Sequence, residues 1–365
     1  MRGQETTYPA ESASLAVGKK SGALLCRNAG IVGMGLMGSS IAACLLGAGH
    51  TVVAIEEDLA RRRKASRRVL ALLRGSKKER LLKADPKSLL GKLSISSDYR
   101  HLQESDVVIE SVVEDLEIKR RVIDKIEQVV TAETLLGSNT SAIPPSLLQQ
   151  GALHPERILG IHWGEPAHIT RFMEIICGKD TLLGHAERAL ALARKWGKQP
   201  SLLRKDVRGF ITNRVMYAML REAFHLVESG VASIADVDRS LRNDLGYWIT
   251  FAGPFRFMDL TGIPAYCAVM RDLLPDLDCG KEVPRLMMRL VKSGARGVAN
   301  AKGFYHYTPA QARRWERRFL KFSYDIRVLA QEYREENGIA FGSASTRRVP
   351  QQETRRAALL WDRKG

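Results

Sequence analysis

Cysteine is scarce and carries no pairing pattern: Cys26, Cys44, Cys177, Cys267 and Cys279 are an odd number without a C-x-x-C spacing. That excludes a disulfide framework or a zinc ribbon as the organising feature and fits a reducing, cytoplasmic setting. No apolar run reaches the roughly 20 residues needed to cross a bilayer, and Met1 to Lys20 holds no continuous hydrophobic stretch of signal-peptide type. No internal repeat is visible. Residues 1 to 25 read as a loose tail, and a chain of 365 residues suits two folded domains.

Negative charge is also in deficit. Against 57 Lys and Arg stand 40 Asp and Glu, for a formal net charge of +17. Such a balance suits nucleic acid, an acidic membrane or an anionic small molecule. Aromatic residues make up only 7% of the chain and are not interleaved with the basic runs, and no helix-turn-helix spacing accompanies them, which argues against nucleic acid. The basic residues gather in Arg61 to Lys64, Arg67, Arg68 and Arg74 to Arg80, and again at Arg313, Arg314, Arg317 and Arg318. A solvated helix face explains the first group as well as a surface for a polyphosphate-bearing substrate such as a CoA thioester does.

What is present begins with a glycine signature. Gly33, Gly35 and Gly38 follow an apolar stretch ending at Val32 and open a small-residue helix, Ser39 to Leu46, stopped by Gly47-Ala48-Gly49. A second apolar run, Thr51 to Ile55, ends in Glu56, eighteen residues beyond Gly38. Strand, turn, helix, strand and terminal acid together form the dinucleotide-binding fingerprint. Gly33 permits the tight turn, Gly35 keeps side chains away from the pyrophosphate, and Gly38 lets the helix approach the strand. Helix amides over Leu36 and Met37 would meet the phosphates, and Glu56 would accept from the ribose hydroxyls, favouring NAD over NADP.

The alternation continues. Asp106 to Val113 is a buried-strand candidate and Leu116 to Val130 an amphipathic helix; Thr134 to Ser141 is a strand running into a polar turn, and Ile158 to His162 is a strand delivering a histidine. The predicted fold is α/β, a Rossmann-type, mostly parallel sheet over residues 26–205 covered on both faces. Ligands collect at the carboxyl ends of such strands, where Glu114, Ser141 and His162 fall. From about Asp206 the pattern is helical, giving an all-helical domain over 206–308 and a helical, frayed extension over 309–365.

His162, Glu165 and His168 form an H-x-x-E-x-x-H string, but Gly164 and Pro166 forbid the helix that would align both histidines, so no metal is expected. A lone histidine after a strand is usually structural. Asn213, alone, fits a helix cap, and Ser141 fits turn chemistry.

Taken in order, these blocks resemble the L-3-hydroxyacyl-CoA dehydrogenase family over roughly residues 28 to 308. The resemblance rests on Gly33 to Gly38, Gly47 to Val53, Val113-Glu114 with Lys119, Ser138-Asn139-Thr140-Ser141, His162 with Glu174 twelve residues on, Gly209-Phe210 with Asn213-Arg214, Gly253-Pro254-Phe255 with Asp259 and Gly262, and Gly303-Phe304-Tyr305. It implies hydride transfer between NAD and the C3 carbon of a 3-hydroxyacyl-CoA in fatty acid metabolism, by a homodimer joined through the helical domain. His162 would be the general base, Glu174 its orienting carboxylate, and Ser141 and Asn213 the donors to the substrate oxygen, with Glu114 and Lys119 near the nicotinamide. An imidazole suits that task near neutral pH.

Where the family has F-F-N-P, this chain has Trp163-Gly164-Glu165-Pro166, and Ile249 to Ala252 replaces a P-M pair before Gly253-Pro254. Glu165 would stand beside the reaction centre. Two further expectations therefore stand next to the first: a dehydrogenase of a free 3-hydroxy acid, of carnitine or gulonate type, and a non-catalytic NAD-binding relative.

Overall fold

The computed structural model describes residues 26–332. The expected N-terminal tail and the end of the C-terminal extension, 1–25 and 333–365, lie outside the described residues. Eight strands, β1 Asn28–Val32, β2 Thr51–Ile55, β3 Leu93–Ser96, β4 Val107–Glu110, β5 Leu135–Ser138, β6 Ile158–Trp163, β7 Phe172–Cys177 and β8 Gln199–Leu203, form one sheet in the order β3-β2-β1-β4-β5-β6-β7-β8. All neighbours are parallel except β6 and β7. The order reverses between β1 and β4, which opens the ligand crevice at their carboxyl ends.

Burial on both faces explains the apolar runs. Strands β4, β5 and β6 are buried at every residue. On one face lie α1 Leu36–Gly47, α2 Leu59–Lys78 and, later in the chain, a helix ending near Trp196; their side chains Ile41, Leu45, Val69, Ala189 and Leu192 pack on Ile31, Ile109, Ile161 and Ile175. After the short α3 Pro86–Leu90, α4 Leu116–Glu127 and α5 Pro145–Gln149 cover the other face through Val122, Ile123, Ile126 and Leu148. The helix before Trp196 is α6 Leu183–Lys195. Local caps start several of these helices: Asp58 accepts from the Arg61 amide at 2.7 Å and Asp115 from the Ile118 amide at 2.9 Å.

The helical region runs through α7 Thr212–Glu228, α8 Ile234–Asn243, α9 Leu245–Phe251, α10 Pro254–Thr261, α11 Ile263–Leu273 and α12 Arg285–Lys292. Among its described residues only Val237 and Ala252 are buried hydrophobics, while Tyr247 and Phe255 are more than three-quarters exposed. The last helix, α13 Pro309–Glu332, returns to the sheet domain. Its Tyr324 is buried, meets the His168 ring edge-on at 6.4 Å, and places its hydroxyl 3.1 Å from where a Cβ on Gly75 of α2 would stand. Arg327 donates to the Ile169 carbonyl, and Arg171 to that of Ala330 at 3.0 Å.

Gly75 is thus the notch in α2 that admits Tyr324. Helix propensity alone predicts that Gly75→Leu stabilises by about 0.8–1 kcal/mol; the collision with Tyr324 predicts a loss of about 1–3 kcal/mol instead. Urea denaturation is expected to give the loss, and a gain would show that α13 is not seated there.

Candidate functional site

The glycines divide by task. Gly33 has φ +97°, and a Cβ there would lie 2.6 Å from the Ser111 carbonyl oxygen. A Cβ on Gly38 would meet the Gly33 carbonyl oxygen at 1.8 Å. Around Gly35 no atom lies within 4 Å of that position, so its backbone faces open space. Leu36 is 63% exposed at the head of α1, and Met37 is half-buried beside it.

Glu56, expected at the ribose, is buried at the end of β2. Its carboxylate accepts from the Met34 amide at 2.8 Å and the Asp58 amide at 3.1 Å, which fixes it across the β1–α1 turn. Beside it opens a cavity of about 510 Å³, lined by Gly33, Ile55, Glu56, Tyr99, Val122 and Lys125 among others. Apolar walls, an acid at the rim and a bare glycine backbone suit an adenosine with its pyrophosphate, so the residues present fit a dinucleotide. The basic run of α2 is split: Arg62 donates to the Glu56 carbonyl at 2.7 Å and Arg68 to that of Met34 at 3.1 Å, while Arg61, Arg63, Lys64 and Arg67 are exposed.

At the ends of β4 and β5 the arrangement differs from expectation. Lys119, expected near the nicotinamide, is fully buried, with Nζ 2.9 Å from Glu110 Oε1, 3.3 Å from the Asn139 carbonyl and 3.4 Å from Glu114 Oε2. It stands behind the site rather than in it, because α4 packs its first turn onto β4. Glu110 was not singled out from sequence; it looks like one more residue of an apolar strand. Burial pushes its carboxyl up despite Lys119 and Ser138. Glu114 accepts from the Thr140 hydroxyl at 2.5 Å and the Ser141 and Ala142 amides at 2.9 and 3.1 Å. Burial raises Glu114, but these donors and Lys119 outweigh it and hold it below the ordinary carboxylate value. It is therefore the anchor of the Ser141 turn. Asn139, also missed, ties that turn across the sheet, donating to the Ser111 hydroxyl at 3.2 Å and accepting from the Trp163 amide at 3.2 Å.

The antiparallel pair β6–β7 sets His162 directly opposite Glu174. Facing cross-strand residues have Cβ atoms roughly 5 Å apart, which accounts for the twelve-residue spacing through the intervening turn. His162 Nδ1 lies 2.8 Å from Glu174 Oε2, both residues buried. Burial pushes the Glu174 carboxyl up, but hydrogen bonds from His162 and from the Thr212 and Ile211 amides bring it below its ordinary value. An ionised carboxylate only accepts, so Nδ1 carries the proton and Nε2 is the open, basic nitrogen. Phe172 and Phe210 wall the ring, at centroid distances of 5.3 and 5.7 Å. Ser141 is exposed at the rim, and its carbonyl accepts from Asn213 Nδ2 at 2.8 Å. The structure thus brings Ser141, His162, Glu174 and Asn213 together.

Glu165 is exposed and makes no hydrogen bond or ion pair among the described residues; the carboxylate His162 meets is Glu174 alone. Trp163 instead turns inward, stacking on Trp196 at 5.3 Å with Lys198 Nζ 5.0 Å above its ring. Lys198 donates to the Ala167 and Thr170 carbonyls. His168 Nδ1 lies 2.8 Å from the Ser40 hydroxyl on α1. No group of three or more His, Cys, Asp or Glu among the described residues could hold a metal ion, and no described helix is long and apolar enough to cross a membrane.

A dinucleotide cradle joined to an imidazole–carboxylate pair defines a nicotinamide-dependent oxidoreductase. Residues 28–207 match the 3-hydroxyacyl-CoA dehydrogenase NAD binding domain, and residues 209–307 match the 3-hydroxyacyl-CoA dehydrogenase C-terminal domain. The chain belongs to the 3-hydroxyacyl-CoA dehydrogenase family, and its cofactor is NAD. It is 33% identical over 290 residues to 5-formyl-3-hydroxy-2-methylpyridine 4-carboxylate 5-dehydrogenase of Mesorhizobium japonicum, covering 79% of this chain and 93% of that one. Among solved structures, a 5-formyl-3-hydroxy-2-methylpyridine 4-carboxylic acid 5-dehydrogenase, described as an NAD+ dependent dismutase, superposes with a TM-score of 0.79 at 31% identity, over 84% of this chain and 99% of that one. The (S)-3-hydroxybutyryl-CoA dehydrogenase from Ralstonia eutropha gives 0.65 at 30% identity, over 78% and 99%.

Burial, with Lys198 and Arg327 nearby, lowers the His168 imidazole from about 6.5 to about 4. Between those values the unfolded chain binds a proton that the folded one refuses, so stability is complete above pH 6.5 and falls as pH drops toward 4. Thermal midpoints are expected to decline over that window, and less steeply in His168→Asn. An identical slope in the variant would remove His168 as a cause.

Proposed function

We propose that the chain transfers hydride between NAD and the C3 carbon of a 3-hydroxyacyl compound, with His162 taking or returning the hydroxyl proton at Nε2. The 2.8 Å contact between His162 and an ionised Glu174 carries this reading: it fixes the tautomer, aims Nε2 outward and stabilises the imidazolium that forms. The cofactor would supply the hydride acceptor, held by Gly33, Gly35, Leu36, Met37 and Gly38 at the head of α1 and by Glu56 at the end of β2. Ser141 and Asn213 hydrogen-bond the substrate oxygen and stabilise charge developing there. Glu114 and Lys119 serve from behind, Glu114 by gripping the Ser141 turn and Lys119 by neutralising Glu110 and Glu114.

A CoA thioester is the substrate class supported by the family and by Arg61, Arg63, Lys64 and Arg67, exposed cations with no ion pair among the described residues. A second reading, a free acid, is supported by the similarity to the pyridine carboxylate dehydrogenase. The same base serves both, since a hydrated aldehyde presents the same H–C–O–H unit as a secondary alcohol. The free, partly exposed cysteines suit a reducing cytoplasm. A homodimer through the helical domain accounts for its exposed Tyr247, Phe251, Phe255 and Leu260.

NADH-coupled turnover against matched CoA thioesters and free acids decides between the substrates. His162→Ala is expected to lower turnover about 10²- to 10⁴-fold while NADH fluorescence titration stays unchanged; undiminished turnover would reject the base. Light scattering is expected to give the mass of two chains, and of one for Phe255→Asp. A monomeric parent would refute the dimer.

A further inference from the structure

Glu174 does not serve His162 alone. While Oε2 meets the imidazole, Oε1 accepts from the Ile211 amide at 3.2 Å, the Thr212 amide at 3.0 Å and the Thr212 hydroxyl at 3.3 Å. Helix α7 has no side-chain cap of its own. Its first amides, which lack partners within the helix, are met by a carboxylate from β7, and the positive end of the helix favours the ionised form of that carboxylate.

The segment delivering these donors is tightly constrained. Gly209 and Phe210 both take left-handed φ, +81° and +53°, and the fully buried Phe210 packs against the His162 ring. A phenylalanine holds that conformation only where its surroundings over-determine it. One residue past Thr212, Asn213 reaches the Ser141 carbonyl. Residues 209–213 therefore gather Ser141, His162, Glu174 and Asn213, drawn from three different parts of the sheet domain and the first helix of the next.

Resting on the hydride-transfer reading, we propose that Thr212 is a positioning residue for the base: its hydroxyl and amide hold the Glu174 carboxylate in the orientation that serves His162, so the base is complete only while the head of α7 is seated against β7. Glu174 is 1% exposed, so a donor lost from its carboxylate is not readily replaced by solvent. Without the Thr212 hydroxyl, Oε1 keeps only its two amide donors, the carboxylate loses one of the three contacts that fix its orientation, and its charge leans more on the Nδ1 proton of His162. Withdrawal of α7 removes all three donors and Asn213 together, which links the seating of the helical region to the assembly of the base.

Valine matches threonine in shape without the hydroxyl; serine keeps the hydroxyl. In full-length protein labelled with ¹⁵N-histidine and saturated with NAD, the hydrogen-bonded Nδ1 proton of His162 is expected as a downfield resonance, without need of substrate. Thr212→Val is expected to move that resonance further downfield and to lower kcat about fivefold, the rate equivalent of one ordinary hydrogen bond, with KM for NAD unchanged. Thr212→Ser is expected to restore both toward the parent. A resonance unmoved by Thr212→Val, a kcat equal to the parent, or equal damage in the serine variant would overturn the proposal. Since the resonance is read without turnover, its failure is distinct from failure of the hydride-transfer reading, which undiminished turnover in His162→Ala would signal.

Discussion

One carboxylate is the point on which the site depends. Glu174 receives the imidazole from β6 on one oxygen and the head of α7 on the other. Sheet, base and helical region therefore meet at a single buried anion. A buried charge is tolerable only when it is paired and hydrogen-bonded, and here donors from His162, Ile211 and Thr212 outweigh the upward push of burial on the Glu174 carboxyl. The antiparallel turn between β6 and β7 makes this possible: in a wholly parallel sheet, His162 and a residue twelve positions on could not be direct neighbours.

A second buried network stands behind the first. Lys119 lies between Glu110 and Glu114, Ser138 donates to Glu110 at 2.5 Å, and Glu114 grips the Ser141 turn. Breaking such a set by removing one member leaves an uncompensated charge in a dry interior. The turn after His162 is held with equal care, by Lys198 from below, Ser40 of α1 through His168, and Arg327 of α13. α13 lies beyond the residues matched to the family's C-terminal domain, which end at 307. It brings residues 309–332 back to the segment that links the two members of the dyad.

Much of the fold was legible because its signals are local. Val107 to Ile109 and Ile158 to Ile161 are apolar at every position, and a strand buried on both faces needs nothing else. Gly33 and Gly38 announced the β1–α1 turn because any Cβ there would strike backbone. β3 and β8 were not legible, being short and mixed in sequence, so that pairing rather than pattern makes them strands; β7, apolar but for Glu174, was read only as the carrier of that carboxylate. Glu110 passed unnoticed for the same reason, a carboxylate inside an apolar strand whose partner, Lys119, comes from another element.

The order of the motifs, the glycine cradle with Glu56, the twelve-residue interval between His162 and Glu174, and the change from sheet to helices near residue 206 were determined by the sequence itself, since each depends on backbone permission or on periodicity within a few residues. Tertiary structure decided the rest. It turned Lys119 inward, left Glu165 in solvent, bonded His168 to a serine 128 residues away, and set the amide of Thr212 on a carboxylate 38 residues earlier. Contacts at such separations follow from strand register and helix seating, which are settled by the packing of the whole domain and leave no trace in local spacing.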